Sequence, residues 1–125
     1  MRTIKFRGYS EELKCFVYGF YLEVGLEGVR YSYIFWQGNT TTVRSDSVAQ
    51  FTGLTDKNGK EIFEGDVVNF GNNDIHHIVA YVGNSFVLAF TYGKIAVYNW
   101  TGVNLEIIGS IYENPELLKS NQYEN

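Results

Sequence analysis

Apolar and polar residues alternate along most of this chain, as they do in half-buried β-strands. Residues 3–7 alternate apolar with charged side chains, and a polar turn follows them. The next run places Phe16, Tyr18 and Phe20 at alternate positions, so that they share one strand face. We expect these two runs to form a β-hairpin.

A third strand is predicted over residues 31–36, followed by a Gln-Gly-Asn turn and a short strand over 40–43. In this third strand Tyr31, Tyr33 and Phe35 alternate with Ser32, Ile34 and Trp36. Further on, Asn58-Gly59 marks a tight turn, because Asn-Gly tolerates a positive φ.

The second half of the chain contains closely spaced strand-like runs separated by glycine and asparagine, at 75–82, 85–90, 94–100 and 105–111. This spacing is typical of a β-barrel or a β-sandwich. After them, Asn114, Pro115 and Glu116 have the residue types of a helix start, so a short C-terminal helix is expected. We expect one domain over 1–125, with an N-terminal β subregion at 1–49, a barrel-like subregion at 50–118 and a frayed tail at 119–125.

Composition supports a folded, mainly-β protein. The chain has 125 residues, of which 45% are hydrophobic and 17% aromatic. Its formal charge of −4 disfavours non-specific nucleic-acid binding, which requires a basic surface. Lys5 and Arg7 form a candidate basic strand face, but we favour their interpretation as the solvated side of an edge strand.

The lone Cys15 excludes an internal disulfide, and the N-terminus lacks the apolar core of a secretion signal. No stretch has the apolar length needed to span a bilayer. We therefore expect the protein in the host cell cytoplasm, without a membrane association.

Three blocks of the sequence resemble the YopX family of phage and prophage proteins. They are IKFR at 4–7, QFTGLTDKNGKEIFEGDVV at 50–68 and EIIGSIYENPELL at 106–118. The chain departs from the family pattern at Gly8-Tyr9, near which members usually have a tryptophan. The resemblance implies a phage origin and a mainly-β fold whose C-terminal part is similar to an SH3-type barrel. It implies no particular activity.

Two groups of residues are candidates for chemistry. His76 and His77 are adjacent, so on a strand they face opposite ways and cannot easily chelate one metal ion. The second group is acidic and consists of Asp56, Glu61, Glu64 and Asp66. Paired carboxylates such as Glu64 and Asp66 could bind a divalent ion or act in acid–base catalysis. A turn followed by solvated charges explains this group more simply, and nucleophile motifs are absent from the sequence. We predict no catalytic residues, no metal and no cofactor.

The aromatic residues are the remaining candidates. The predicted interaction surface consists of Tyr31, Tyr33, Trp36, Tyr98 and Trp100. Such residues suit a protein-binding patch, a stacking platform for single-stranded nucleic acid, or the core. The acidic charge favours the first. We expect a non-catalytic protein-interaction module that self-associates as a homo-oligomer or binds an unidentified host or phage protein. A nucleic-acid-binding module is the alternative, and a metal-dependent enzyme the third.

Overall fold

The computed structural model describes residues 4–69, 76–82, 85–90, 95–96 and 105–119. The chain divides into two compact units, Met1–Phe51 and Thr52–Asn125. The strands are β1 (Phe6–Ser10), β2 (Cys15–Leu26), β3 (Val29–Trp36), β4 (Asn39–Val43), β5 (Ala49–Thr55), β6 (Glu61–Phe63), β7 (Asp66–Asn69), β8 (His77–Val82), β9 (Ser85–Phe90), β10 (Ile95–Ala96) and β11 (Glu106–Ser110). The mainly-β prediction is therefore confirmed. In the part of the chain that the structure describes, strands form two antiparallel sheets, and neither closes into a barrel.

In the first unit β4, β3, β2 and β1 form an antiparallel meander, and the start of β5 pairs with β1 on its other side. Two tight turns join its long strands. Glu27 (φ 51°) and Gly28 (φ 80°) connect β2 to β3, while Gln37 (φ 50°) and Gly38 (φ 85°) connect β3 to β4. Consecutive positive φ angles give the twist that two-residue hairpins require. β2 consequently continues through Gly25 to Leu26.

β1 lies inside the sheet. Its residue Arg7 is opposite Tyr18 of β2 on one side and Ala49 of β5 on the other. The interpretation of Lys5 and Arg7 as the solvated side of an edge strand is therefore wrong. The sequence pattern missed β5, whose pairing with β1 joins residues more than forty positions apart.

The second unit contains a five-stranded sheet in the order β10-β9-β8-β7-β11. Its core consists of the buried residues Ile62, Val68, Val79, Leu88 and Leu105. Leu54, Phe86 and Ile107 pack against this cluster. The cluster removes these apolar side chains together from water, which is the main force that stabilises a fold.

The expected C-terminal helix is not an α-helix, since residues Pro115–Lys119 form a short 3₁₀ helix. Before it, Asn114 accepts a hydrogen bond at Oδ1 from the Ser110 amide at 3.2 Å, and its carbonyl accepts one from Leu117 at 3.0 Å. A Cβ at Gly109 would lie 2.6 Å from Asn114 Oδ1, so this turn requires a glycine there. Because the turn extends to Asn114, only the five residues Pro115–Lys119 are helical, which leaves little length for an α-helix.

Candidate interaction face

The β2–β3 hairpin has one continuous apolar side. Across the hairpin, apolar residues of β2 lie directly opposite apolar residues of β3 at four successive even positions. Directly opposed residues of antiparallel strands share a face. We define the apolar face as Phe20, Leu22, Val24, Leu26, Val29, Tyr31, Tyr33 and Phe35.

Much of this face is open to solvent. Leu26 is 59% exposed, Phe20 55% and Leu22 51%, and the face contains no charged side chain. With an aromatic side chain contributing about 150–250 Å², the face offers on the order of 600 Å² of apolar surface. An uncovered patch of this size is at the upper limit for monomeric proteins and is typical of a binding site.

The other side of the same hairpin is mixed, with Ile34 and Ser32 buried but Arg30 and Trp36 exposed. Ser32 is 1% exposed, and its hydroxyl lies 2.7 Å from that of Ser45 and 3.3 Å from that of Tyr21. The Tyr21 hydroxyl donates to Glu23 at 3.1 Å, and Glu23 forms an ion pair with Arg30. A polar network therefore lies beside the buried Ile34 on the side of the hairpin opposite the apolar face.

The predicted aromatic surface falls partly on the apolar face. Tyr31, 41% exposed, and the half-buried Tyr33 belong to it. Trp36 alternates with them along β3, but its ring centroid lies 6.1 Å from that of Phe20, so it borders the face. Tyr98 and Trp100 lie outside the described residues. The sequence interpretation missed the four β2 members of the face, although their strict alternation with other residues was a usable signal.

The two basic candidates contact aromatic rings. The Arg7 guanidinium lies 4.2 Å from the centre of the Phe16 ring, and Arg7 is only 6% exposed. The Lys5 ammonium lies 5.6 Å from the centre of the Phe51 ring. Both distances fit cation–π contacts, which stabilise the first unit. The pair therefore does not form an open basic surface.

The buried carboxylate of Asp56 has a structural role. Asp56 is 4% exposed, and its carboxylate accepts hydrogen bonds from the amides of Asn58 at 2.8 Å, Lys60 at 2.9 Å and Ile107 at 3.1 Å. Burial alone would raise the pKa of Asp56, but the amides of Ile107, Lys60 and Asn58 outweigh it and hold the pKa below its ordinary value. The carboxylate thereby ties the DKNGK turn to β11.

Asp66 has a comparable role, because its buried carboxylate accepts a hydrogen bond from the Phe63 amide at 2.8 Å. His77 is 3% exposed, and burial together with the neighbouring His76 lowers the pKa of its imidazole. Among the described residues, no group of three or more His, Cys, Asp or Glu side chains is placed to hold a metal ion. A helix long and apolar enough to cross a membrane is likewise absent from these residues.

Comparisons with known proteins agree with this fold. The crystal structure of protein EF1440 from Enterococcus faecalis is similar to the chain, with a TM-score of 0.59 and 25% sequence identity. The match covers 94% of this chain and 99% of that one. No curated protein matches the sequence. The family model described as YopX protein matches residues 5–119, and the chain therefore belongs to the YopX family.

Proposed function

We propose that this protein is a non-catalytic protein-interaction module that binds through the apolar face. One observation carries the proposal, namely that the large apolar side chains on one side of the hairpin lie together in solvent. Leu26, Phe20 and Leu22 are each more than half exposed. Covering the apolar face with a partner removes that surface from water and stabilises the bound state.

A second copy of the chain is the partner that fits this face best. Stable interfaces bury about 800 Å² per partner, and the apolar face with its flanks approaches that area. Thr40 and Thr42 of β4 are exposed and lie opposite Phe35 and Tyr33, so they extend the same face. Because the face has no charges, two acidic chains can meet there without direct like-charge contacts. Two such sheets would pack as a β-sandwich, about 10 Å apart.

The test is a concentration series in analytical ultracentrifugation. We expect a dimer for the natural sequence and a monomer for Leu22→Lys and Tyr31→Lys, since a buried unpaired charge opposes association. Tyr81→Lys is the matched control, because Tyr81 is an exposed strand residue at 46% but lies outside the face. A natural protein that stays monomeric, or a control that dissociates as fully as the two variants, contradicts the self-association.

Nucleic-acid binding remains the alternative proposal with less support, because Arg7 is buried against Phe16. It predicts salt-dependent retention of the protein on DNA or RNA. Loss of that retention in Lys5→Met, with normal dimerisation, would favour it over the protein-interaction module.

We also propose a phage or prophage origin and a cytoplasmic location. Family membership supports the origin. The exposed thiol of Cys15, the single cysteine of the chain, suits a reducing compartment. For the second unit we propose a relationship to the SH3-type barrel, supported by its compact antiparallel meander of short strands.

A further inference from the structure

The turn that follows β5 contains Asn58-Gly59, the single Asn-Gly pair of the chain. Both residues are exposed, and Gly59 has a φ of 83°, a conformation that glycine adopts without strain. The turn therefore favours a glycine after Asn58. This requirement has a chemical consequence, because a glycine at that position leaves the asparagine side chain open to attack by the next backbone nitrogen.

The reaction is an intramolecular deamidation. The backbone nitrogen of Gly59 loses its proton and bonds to Cγ of Asn58, and the side-chain nitrogen of Asn58 leaves as ammonia. The product is a succinimide ring that joins the two residues. Water then opens the ring at one of its carbonyls, which leaves either an aspartate or an isoaspartate at position 58. Glycine has no side chain to hinder the ring closure.

Three hydrogen bonds fix the backbone around the reacting nitrogen. The Gly59 amide donates to the Asp56 carbonyl at 3.0 Å, which is the hydrogen bond that closes a β-turn. The amides of Asn58 and Lys60 donate to Oδ1 of Asp56 at 2.8 and 2.9 Å. To attack Cγ of Asn58, the Gly59 nitrogen must release its proton and the peptide plane before it must turn. Both changes break the hydrogen bond to the Asp56 carbonyl.

The charge of Asp56 opposes the reaction as well. Burial alone would raise the pKa of this carboxyl, but its amide donors outweigh burial and hold the pKa below its ordinary value, so the group is ionised at neutral pH. The Gly59 nitrogen becomes an anion when it loses its proton, and it would do so in the same turn as this carboxylate. Like charges that are close together repel each other, which makes the loss of the proton less favourable.

We propose that Asn58 is a site of spontaneous deamidation that Asp56 keeps unreacted while the turn is closed. Local opening of the turn frees the Gly59 nitrogen, so the modification marks molecules in which this part of the second unit has opened. Conversion adds a carboxylate close to that of Asp56, and isoaspartate also lengthens the backbone. Both changes oppose closure of the turn. The apolar face takes no part in this chemistry, so the inference does not depend on the proposed dimer.

The experiment follows deamidation of Asn58 by peptide mapping with mass spectrometry during incubation at neutral pH. The folded protein is compared with the same chain unfolded in urea. We expect the folded protein to react about tenfold more slowly, a ratio that corresponds to about 1.4 kcal/mol. Asn39 is an internal reference in urea, where it should react more slowly than Asn58 because the branched side chain of Thr40 hinders ring closure.

Variants separate the role of Asp56 from a general loss of structure. Asp56→Ala should raise the rate in the folded protein about tenfold. Asp56→Asn keeps an acceptor oxygen without the charge and should give an intermediate rate. Asp46→Ala, at an exposed carboxylate outside the turn, should leave the rate unchanged.

Hydrogen exchange in β8 and β9 checks that each variant keeps the core of the second unit. If Asp56→Ala fails this check, Asp56→Asn decides the result. A folded natural protein that deamidates as fast as its chain in urea would overturn the proposal. A folded Asp56 variant that reacts no faster than Asp46→Ala would overturn it as well.

Discussion

The two units use similar antiparallel strands but differ in how much large apolar surface they leave exposed. The second unit buries an apolar cluster in which Ile62, Val68 and Leu88 are all 0% exposed. The first unit buries Ile34 and Phe51 as well, but it leaves a row of large apolar side chains in water, among them Phe20, Leu22 and Leu26. Both units therefore bury apolar residues, and the first adds an exposed apolar surface.

From this difference we expect the second unit to contribute most of the stability, and the apolar face of the first unit to mediate the proposed binding. Burial of apolar side chains contributes about 1.5–3 kcal/mol for each residue, and the second unit obtains that contribution within itself. In the first unit, polar contacts such as that of the Tyr9 amide with Ser47 Oγ at 2.8 Å fix the strands. The apolar surface of the first unit remains available for a partner.

The largest effect is expected from a substitution in the core of the second unit. Leu88→Ala should lower the free energy of unfolding by about 3 kcal/mol, because it removes a fully buried side chain and leaves a cavity. Hydrogen exchange should show faster exchange of amides in β7, β8 and β9 than in β2 and β3. Leu22→Ala, measured in dilute monomer, should change stability by less than about 0.5 kcal/mol. Equal losses in both variants would remove the contrast between the units.

The next effect concerns the DKNGK turn. Asp56→Ala should destabilise the second unit by about 2 kcal/mol, since three backbone amides lose an ionised acceptor. The pKa of Asp56 lies below its ordinary 3.8, so its contribution is present above that pH and is lost as the pH falls through the folded-state value. Urea unfolding at neutral pH measures the loss, and Asp46→Ala, at an exposed carboxylate, is the control. A loss no larger than the control's would contradict the role of Asp56.

A smaller effect tests the polar interior of the first unit. Ser32→Ala should cost about 1 kcal/mol, because Ser45 and Tyr21 lose a buried hydrogen-bond partner. Thr42→Ala, on an exposed neighbour, provides the baseline. Exchange rates of β3 amides report the result, and an unchanged or slower rate in Ser32→Ala would show that the network does not stabilise the hairpin.

The smallest effect is a pH dependence in the second unit. Burial and His76 hold the pKa of His77 below its ordinary 6.5, so the unfolded chain binds the proton more readily than the folded one. Stability should therefore be complete above about pH 6.5 and decline as the pH falls below it. His77→Gln should flatten this decline in thermal unfolding, and His76→Gln should reduce it less. An unchanged slope in His77→Gln would assign the decline to other groups.

The sequence predicts strand positions better than it predicts faces. Alternation correctly divides Tyr31, Tyr33 and Phe35 from Ser32 and Ile34, but a period of two does not say which set is covered. That depends on contacts with distant residues, such as that of Ser45 with Ser32. The burial of Arg7 likewise depends on β5, which a local pattern around residue 7 does not contain.

Candidate sites show the same limit. Tyr31 and Tyr33 are identified from composition alone, whereas the β2 members of the apolar face emerge only from the register with β3. The carboxylate of Asp56 reads as a solvated charge because one of its donors, Ile107, is 51 positions away. Patterns within a few residues predict the local backbone conformation. Contacts between residues distant in sequence determine which side chains are buried and which are exposed.

The position of Asp56 also has a consequence for the order of folding. Its contacts with Asn58 and Lys60 are local and close a small loop, whereas its contact with Ile107 spans 51 positions. Loop closure becomes more costly in entropy as the loop lengthens. The turn can thus form early and present a carboxylate already oriented by two amides. When β11 then pairs within the second unit, its Ile107 amide donates to a carboxylate that already has its final orientation.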